Sequence, residues 1–288
     1  MTSPASASFP WPQVPEPPSG EFRSGRLPAQ SGGGGYIAAR GSRPGPALLV
    51  LAGAASGFPA LHGMFRLAGV LDAHRLAGSL LIRLAASGPV DVAGDLLGVA
   101  DALLIAGDAP VDWQQLATIG YAASGQPQQD SRAARTVALA GAPYYFALRL
   151  PAAGDDPLAF MAGRGKFAAR WTVPDRPGER EAAVEEVFQG TINMLRGLGM
   201  LEGQVAPVES RTLEPPAAAV APVDGYWAPS ARPGQRIRIN DRLGSFRDAQ
   251  GEELGDLLSN VSGILLGIST AVWVASGAPV AELARPLE

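Results

Sequence analysis

The chain has 288 residues, 47% of them apolar and 17% charged, with a net charge of −4. That is enough for one large domain or two modest ones with a sizeable core, and it excludes the basic field needed to hold a nucleic-acid backbone. There is no cysteine, which excludes disulfides, thiolate metal sites, iron–sulfur clusters and a cysteine nucleophile.

Residues 1–40 open the chain with Pro, Ser and Gly in excess and four glycines in a row at 32–35. This composition predicts a disordered leader. Phe9, Trp11, Val14 and Phe22 are apolar anchors among its prolines, as a docking peptide would need. No basic stretch followed by an apolar run is found, so no signal peptide is predicted.

Residues 41–203 change character. Residues 46–52 (PALLVLA) form a continuous apolar run before a glycine, which suits a strand buried on both faces. A helical stretch follows, with Leu61, Phe65, Leu67, Ala68 and Leu71 near one stripe. Residues 79–85 (SLLIRLA), 102–106 (ALLIA) and 165–173 (GKFAARWTV) read as strands. Residues 135–150 (RTVALAGAPYYFALRL) read as further strand material, split by Gly141 and Pro143. The clearest helix is 179–200, where Val184, Val187, Phe188, Ile192, Leu195 and Leu198 recur three to four apart and Gly199 closes the run. Strands alternating with helices predict an α/β domain with a mostly parallel sheet.

Residues 204–222 read as a Pro/Ala-rich linker. Residues 223–288 hold short strands divided by turn signals such as Pro233-Gly234 and Asn240-Asp241, which predicts a small all-β module. The most apolar tract, 261–280, is interrupted repeatedly by Ser, Gly and Pro, so no membrane-spanning helix is written there. A soluble cytoplasmic protein without a membrane partner is expected.

Side chains with chemistry are few. His62 and His74 are the only histidines. On one unbroken helix they would lie on the order of 18 Å apart, too far to share a metal. A metal site rebuilt around His62 would need help from Asp108 and Asp112, because zinc demands several ligands. Ser56-Gly57 lacks the surroundings of a nucleophile turn. Gly53, Gly57 and Gly63 do not make a phosphate loop. Arg164, Lys166 and Arg170 form a small basic cluster able to hold a carboxylate; Lys166 is the one lysine of the chain. No glutamate occurs between Glu21 and Glu179, so a general base in that stretch must be aspartate or histidine.

Several separated segments resemble the zinc-dependent aspartoacylase and succinylglutamate desuccinylase deacylases. Residues 43–71 (RPGPALLVLAGAASGFPALHGMFRLAGVL) resemble a GP-rich turn leading into a strand that ends AG-x-HG-x-E, followed by a helix. Residues 76–84 (LAGSLLIRL) resemble the next strand, and 101–107 (DALLIAG) the strand that ends D-x-H. Residues 188–201 (FQGTINMLRGLGML) resemble the helix closing the catalytic domain. Residues 226–283 resemble a C-terminal β module like a lipoyl-carrier hammerhead. The resemblance implies a carboxypeptidase-like α/β fold with a mostly parallel mixed sheet plus that small module.

In such enzymes two histidines and a glutamate hold a zinc ion that polarises the scissile amide and activates water, and a second glutamate is the base. The resemblance places Ala55, Phe58 and Gly107 where the three ligands belong, and the base near Thr172. The substrate loop D-x-N-R has no counterpart, since only about 16 residues separate Leu84 from Asp101. None of the family's functional residues carries over.

The expectation is therefore a non-catalytic paralogue: no catalytic residue, no metal and no cofactor, acting as a structural or regulatory subunit in an oligomer with an active deacylase of this fold. Two alternatives stand beside it. One is an amide or ester hydrolase acting on a small N-acyl amino acid through zinc at a rebuilt site. The other is a binding module for a small carboxylate, held by Arg164, Lys166 and Arg170.

Overall fold

The run at 46–52 becomes the middle of a large sheet, and its alternate residues explain why it is apolar throughout. The computed structural model describes residues 9–11, 14–27, 34–53, 58–85, 94–107, 112–148, 150, 156–175, 178–205 and 209–287. In chain order the elements of the first part are β1 (Phe22–Arg26), β2 (Gly35–Arg40), β3 (Arg43–Gly53), α1 (Phe58–Val70), β4 (Ala77–Ala85), α2 (Gly94–Val99), β5 (Ala102–Ala106), β6 (Trp113–Gln115), β7 (Thr118–Ala122), α3 (Pro127–Ala138), β8 (Tyr144–Leu148), α4 (Pro157–Ala162), β9 (Phe167–Thr172) and α5 (Arg180–Gly197). The remainder is all strand: β10 (Arg211–Leu213), β11 (Ala217–Val220), β12 (Gly225–Pro229), β13 (Arg236–Ile237), β14 (Arg242–Arg247), β15 (Glu253–Leu258), β16 (Gly263–Ser269), β17 (Trp273–Val274) and β18 (Pro279–Ala284).

The large sheet has nine strands in the order β1-β2-β4-β3-β5-β9-β7-β8-β10. Neighbours are parallel from β4 to β9 and again from β7 to β10, and antiparallel at β1-β2, β2-β4 and β9-β7. The fold is thus α/β with a mostly parallel mixed sheet. Side chains alternate between faces along a strand. In β3, Leu48, Val50 and Ala52 join a core that includes Met64 and Leu67 of α1 and Val187, Met194 and Leu195 of α5. Ala47, Leu49 and Leu51 join the opposite core with Leu96 and Leu97 of α2 and Leu158 and Met161 of α4. Helices on both faces leave no polar side to the strand.

Close packing of α5 against α1 and against the sheet depends on glycine. A Cβ on Gly63 would meet the Val187 side chain, and one on Gly190 would strike the Ala140 carbonyl and the Trp171 ring.

Three sequence expectations are corrected. The stretch 1–40 is not a disordered leader over its described part. Trp11 is 1% exposed and packs with Val14 and Leu27 in the second core, while β1 and β2 extend the sheet as a hairpin. Burying an indole and the Tyr36–Ala39 side offsets the ordering entropy that composition alone would leave uncompensated. Residues 135–138 are the last turn of α3 rather than strand, because Ala133, Thr136 and Val137 make one buried helical stripe. The stretch 204–222 is not a free linker: β10 pairs with β8 and β11 with β18.

The small module consists of one sheet ordered β11-β18-β16-β13, with β6 also on β16, and a second ordered β15-β14-β12-β17. They enclose Trp227, Leu243, Phe246, Leu265 and Leu283, and the Trp227 indole N–H donates to the Ser269 carbonyl at 2.9 Å. Because β6 comes from the first part of the chain, the boundary at 203–223 is crossed by a shared ladder, Trp113–Gln115 against Gly267–Ser269. Among the described residues no helix is long and apolar enough to cross a membrane.

Candidate functional site

Parallel α/β sheets place their binding residues just beyond the carboxyl ends of the strands. Here β3, β5 and β9 run side by side in the same direction, so Gly53, Gly107 and Thr172 mark one rim. Gly107 follows the last residue of β5. Its φ is 128°, a conformation that glycine adopts readily and side-chain-bearing residues avoid, and its N–H donates to the Trp171 carbonyl at 3.0 Å. The strand end therefore takes a conformation suited to glycine. At the end of β9, Thr172 is half-buried, and beyond it Val173 is buried and Pro174 half-buried. The next carboxylate, Asp175, is held by Arg180 at the start of α5, through Nε at 2.7 Å and Nη2 at 3.1 Å. That hydrogen-bonded carboxylate raises the arginine's pKa further above its ordinary value.

The histidines do not come together. His62 sits within α1, edge-to-face with Phe65 at 6.0 Å between ring centres. His74 lies past the end of that helix, in a single 3₁₀ turn. There its N–H donates to Asp72 Oδ1 at 3.0 Å and its carbonyl accepts from the Ser42 hydroxyl at 2.6 Å. Asp112 is exposed beside β6, its carbonyl accepting the Thr270 N–H at 2.6 Å. Ala55, Asp108 and the Phe58 side chain lie outside the described residues. Among the described residues there is no group of three or more His, Cys, Asp or Glu able to hold a metal. Zinc chemistry needs three protein ligands with lone pairs. Of the three positions that the sequence resemblance assigns to those ligands, Gly107 has no side chain, and an alanine or phenylalanine side chain has no donor, so these three do not fit that ion.

The basic cluster is dispersed. Arg164 folds over the Phe160 ring at 3.5 Å and donates to the Phe160 carbonyl at 3.3 Å. Lys166 Nζ donates to the Ala100 carbonyl at 2.5 Å and the Gly98 carbonyl at 3.4 Å, at the carboxyl end of α2. Arg170 stands four residues further along the strand, about 13 Å away at the usual rise, with Nη2 4.0 Å from Asp156 Oδ2. Lys166 belongs to the opposite, amino-terminal end of the sheet from Gly107. A cavity of about 300 Å³ opens there, between the starts of β3, β5 and β9 and helix α3.

Sequence reasoning missed Arg83. It lies near the carboxyl end of β4, opposite Tyr36 of β2 and Leu51 of β3, and is 2% exposed. Its one signal was a lone charge inside an otherwise apolar strand, SLLIRLA. A buried guanidinium is tolerated only when engaged, and Arg83 has such an interaction.

No family model matches the chain, and no curated protein does. Solved structures do. A succinylglutamate desuccinylase/aspartoacylase from Rhodobacter sphaeroides superposes with a TM-score of 0.77 at 17% identity, over 93% of this chain and 96% of that one. A succinylglutamate desuccinylase from Silicibacter sp. TM1040 gives 0.77 at 16% identity, over the whole of both chains. The product-bound ectoine utilization protein EutE (DoeB) from Ruegeria pomeroyi gives 0.77 at 17% identity, over 97% of this chain and 100% of that one. At such identities the likeness establishes the fold.

Proposed function

We propose that this chain, sharing the fold of the succinylglutamate desuccinylase/aspartoacylase structures, is a non-catalytic member of that group. It acts as a structural or regulatory subunit paired with an active deacylase of the same architecture. The observation that carries the reading is Gly107. The sequence resemblance places it where a metal-binding histidine belongs, and its backbone takes a glycine conformation in which its N–H donates to the Trp171 carbonyl.

A surface on the small module supports the partner half of the proposal. Tyr226 and Trp273 meet edge-to-face at 5.1 Å while 42% and 54% exposed. Exposed paired aromatic side chains are enriched at protein interfaces.

The test is metal content by elemental mass spectrometry, on untagged protein exchanged through zinc buffer and dialysed, together with capture of a fold-matched active deacylase. Zinc below about a tenth of an equivalent with saturable binding to the deacylase is expected. Close to one equivalent of zinc, or a monodisperse monomer that binds no such enzyme, overturns the reading.

A further inference from the structure

The 300 Å³ cavity at the amino-terminal end of the sheet is distinct from the Gly107 rim, and its polar groups are incompletely used. Lys166 has three N–H donors; two go to the Ala100 and Gly98 carbonyls, which leaves one for the cavity. Arg132 of α3 lines the mouth, and neither cation has a carboxylate partner among the described residues. Asp101 gives Oδ2 to the Ala47 N–H at 2.9 Å and keeps its other oxygen. Asp130 is largely spent, accepting from the Ser124 N–H and hydroxyl and from the Gly125 N–H. Gln129 Oε1 is buried with no hydrogen-bond partner among the described residues, a costly state for an acceptor unless something donates to it. Phe167 supplies an apolar wall.

The lining charges balance, Lys166 and Arg132 against Asp101 and Asp130. A bare anion or a bare cation would leave one sign uncompensated in a partly enclosed space. A ligand carrying both signs would not. We infer that this cavity binds a small zwitterion of the α-amino acid type, with its carboxylate on Lys166 and Arg132, its ammonium on Gln129 Oε1 and Asp101, and its side chain against Phe167. The inference does not depend on whether the chain is catalytic.

Because Lys166 is the one lysine, protein grown on [¹³C]lysine gives a single ε-methylene NMR signal, which reports on this cavity alone. Titration with free L-amino acids should shift that signal saturably at millimolar concentrations or below. Their N-acetyl derivatives, the corresponding amines and inorganic phosphate should not. Gln129→Leu and Arg132→Gln should each weaken binding about tenfold; Arg132 is exposed on its helix, so that variant keeps the fold. No shift by any amino acid up to roughly 10 mM, equal shifts with the N-acetyl compounds or phosphate, or unchanged affinity in Arg132→Gln would each overturn the proposal.

Discussion

Ala47 and Asp101 exchange two hydrogen bonds: the Ala47 N–H donates to Asp101 Oδ2 at 2.9 Å, and the Asp101 N–H donates to the Ala47 carbonyl at 2.8 Å. The pair lies where β3 and β4 slip register between Arg43 and Ala47, so the carboxylate satisfies a backbone donor at the start of a buried strand. Asp101→Ala should cost about 1 kcal/mol of stability, the usual net worth of such a bond. A shift in urea midpoint with an unchanged slope would record it.

Gly190 has no room for a side chain against the Ala140 carbonyl and the Trp171 ring. Gly190→Ala should therefore destabilise by about 1–3 kcal/mol, as overpacking does, although alanine is the better helix former. Thermal unfolding of the variant would decide the sign.

Gly107→His should not rebuild a metal site. With φ at 128°, the new side chain forces backbone strain costing about 1–3 kcal/mol. The variant should be less stable and still hold less than about a tenth of an equivalent of zinc. Elemental analysis of the refolded variant is the check.

Glu282 of β18 is held above its ordinary pKa by burial. The folded state then binds that proton more tightly than the unfolded chain does. The associated stability is fully present below the unfolded glutamate value, is lost as pH rises through the raised folded value, and stays absent above it. Glu282→Gln should remove this slope and make the protein more stable than wild type at neutral pH. Denaturant titrations at acidic and neutral pH would show the two curves diverge.

Trp273→Ala removes an exposed ring from the Tyr226 pair. Stability should change by less than about 0.5 kcal/mol, while capture of a fold-matched deacylase should weaken at least tenfold, as loss of an aromatic anchor does. Surface-immobilised binding measurements separate the two effects.

The α/β part was legible because its strands are buried on both faces: 46–52, 102–106 and the 179–200 stripe state their burial in composition and spacing. The end of α3 was not, because Val137 and Thr136 suit strand as well as helix, and only the packing of Ala133 beneath them decides. The burial of Trp11 and Val14 was hidden for a different reason. Trp11 and Val14 share a core with Leu49, Leu51 and Leu81, in strands further along the chain, a relationship that no local pattern encodes. At the site, sequence could say which residue types stand at the positions the resemblance singles out. It could not say that Gly107 would turn through a positive φ, that Lys166 would cap α2, or that Arg170 would stand at the other end of its strand.

The ladder between β6 and β16 joins two stretches of chain more than a hundred residues apart in sequence, and Phe146, Leu213, Ile264 and Leu266 form a common apolar cluster beside it. Cutting the polypeptide near residue 222 would leave β16 with an open edge and that cluster exposed to water, the conditions under which sheets add strands from neighbouring molecules. The two halves are expected to melt together in a single cooperative transition, and neither fragment should remain monomeric when expressed alone.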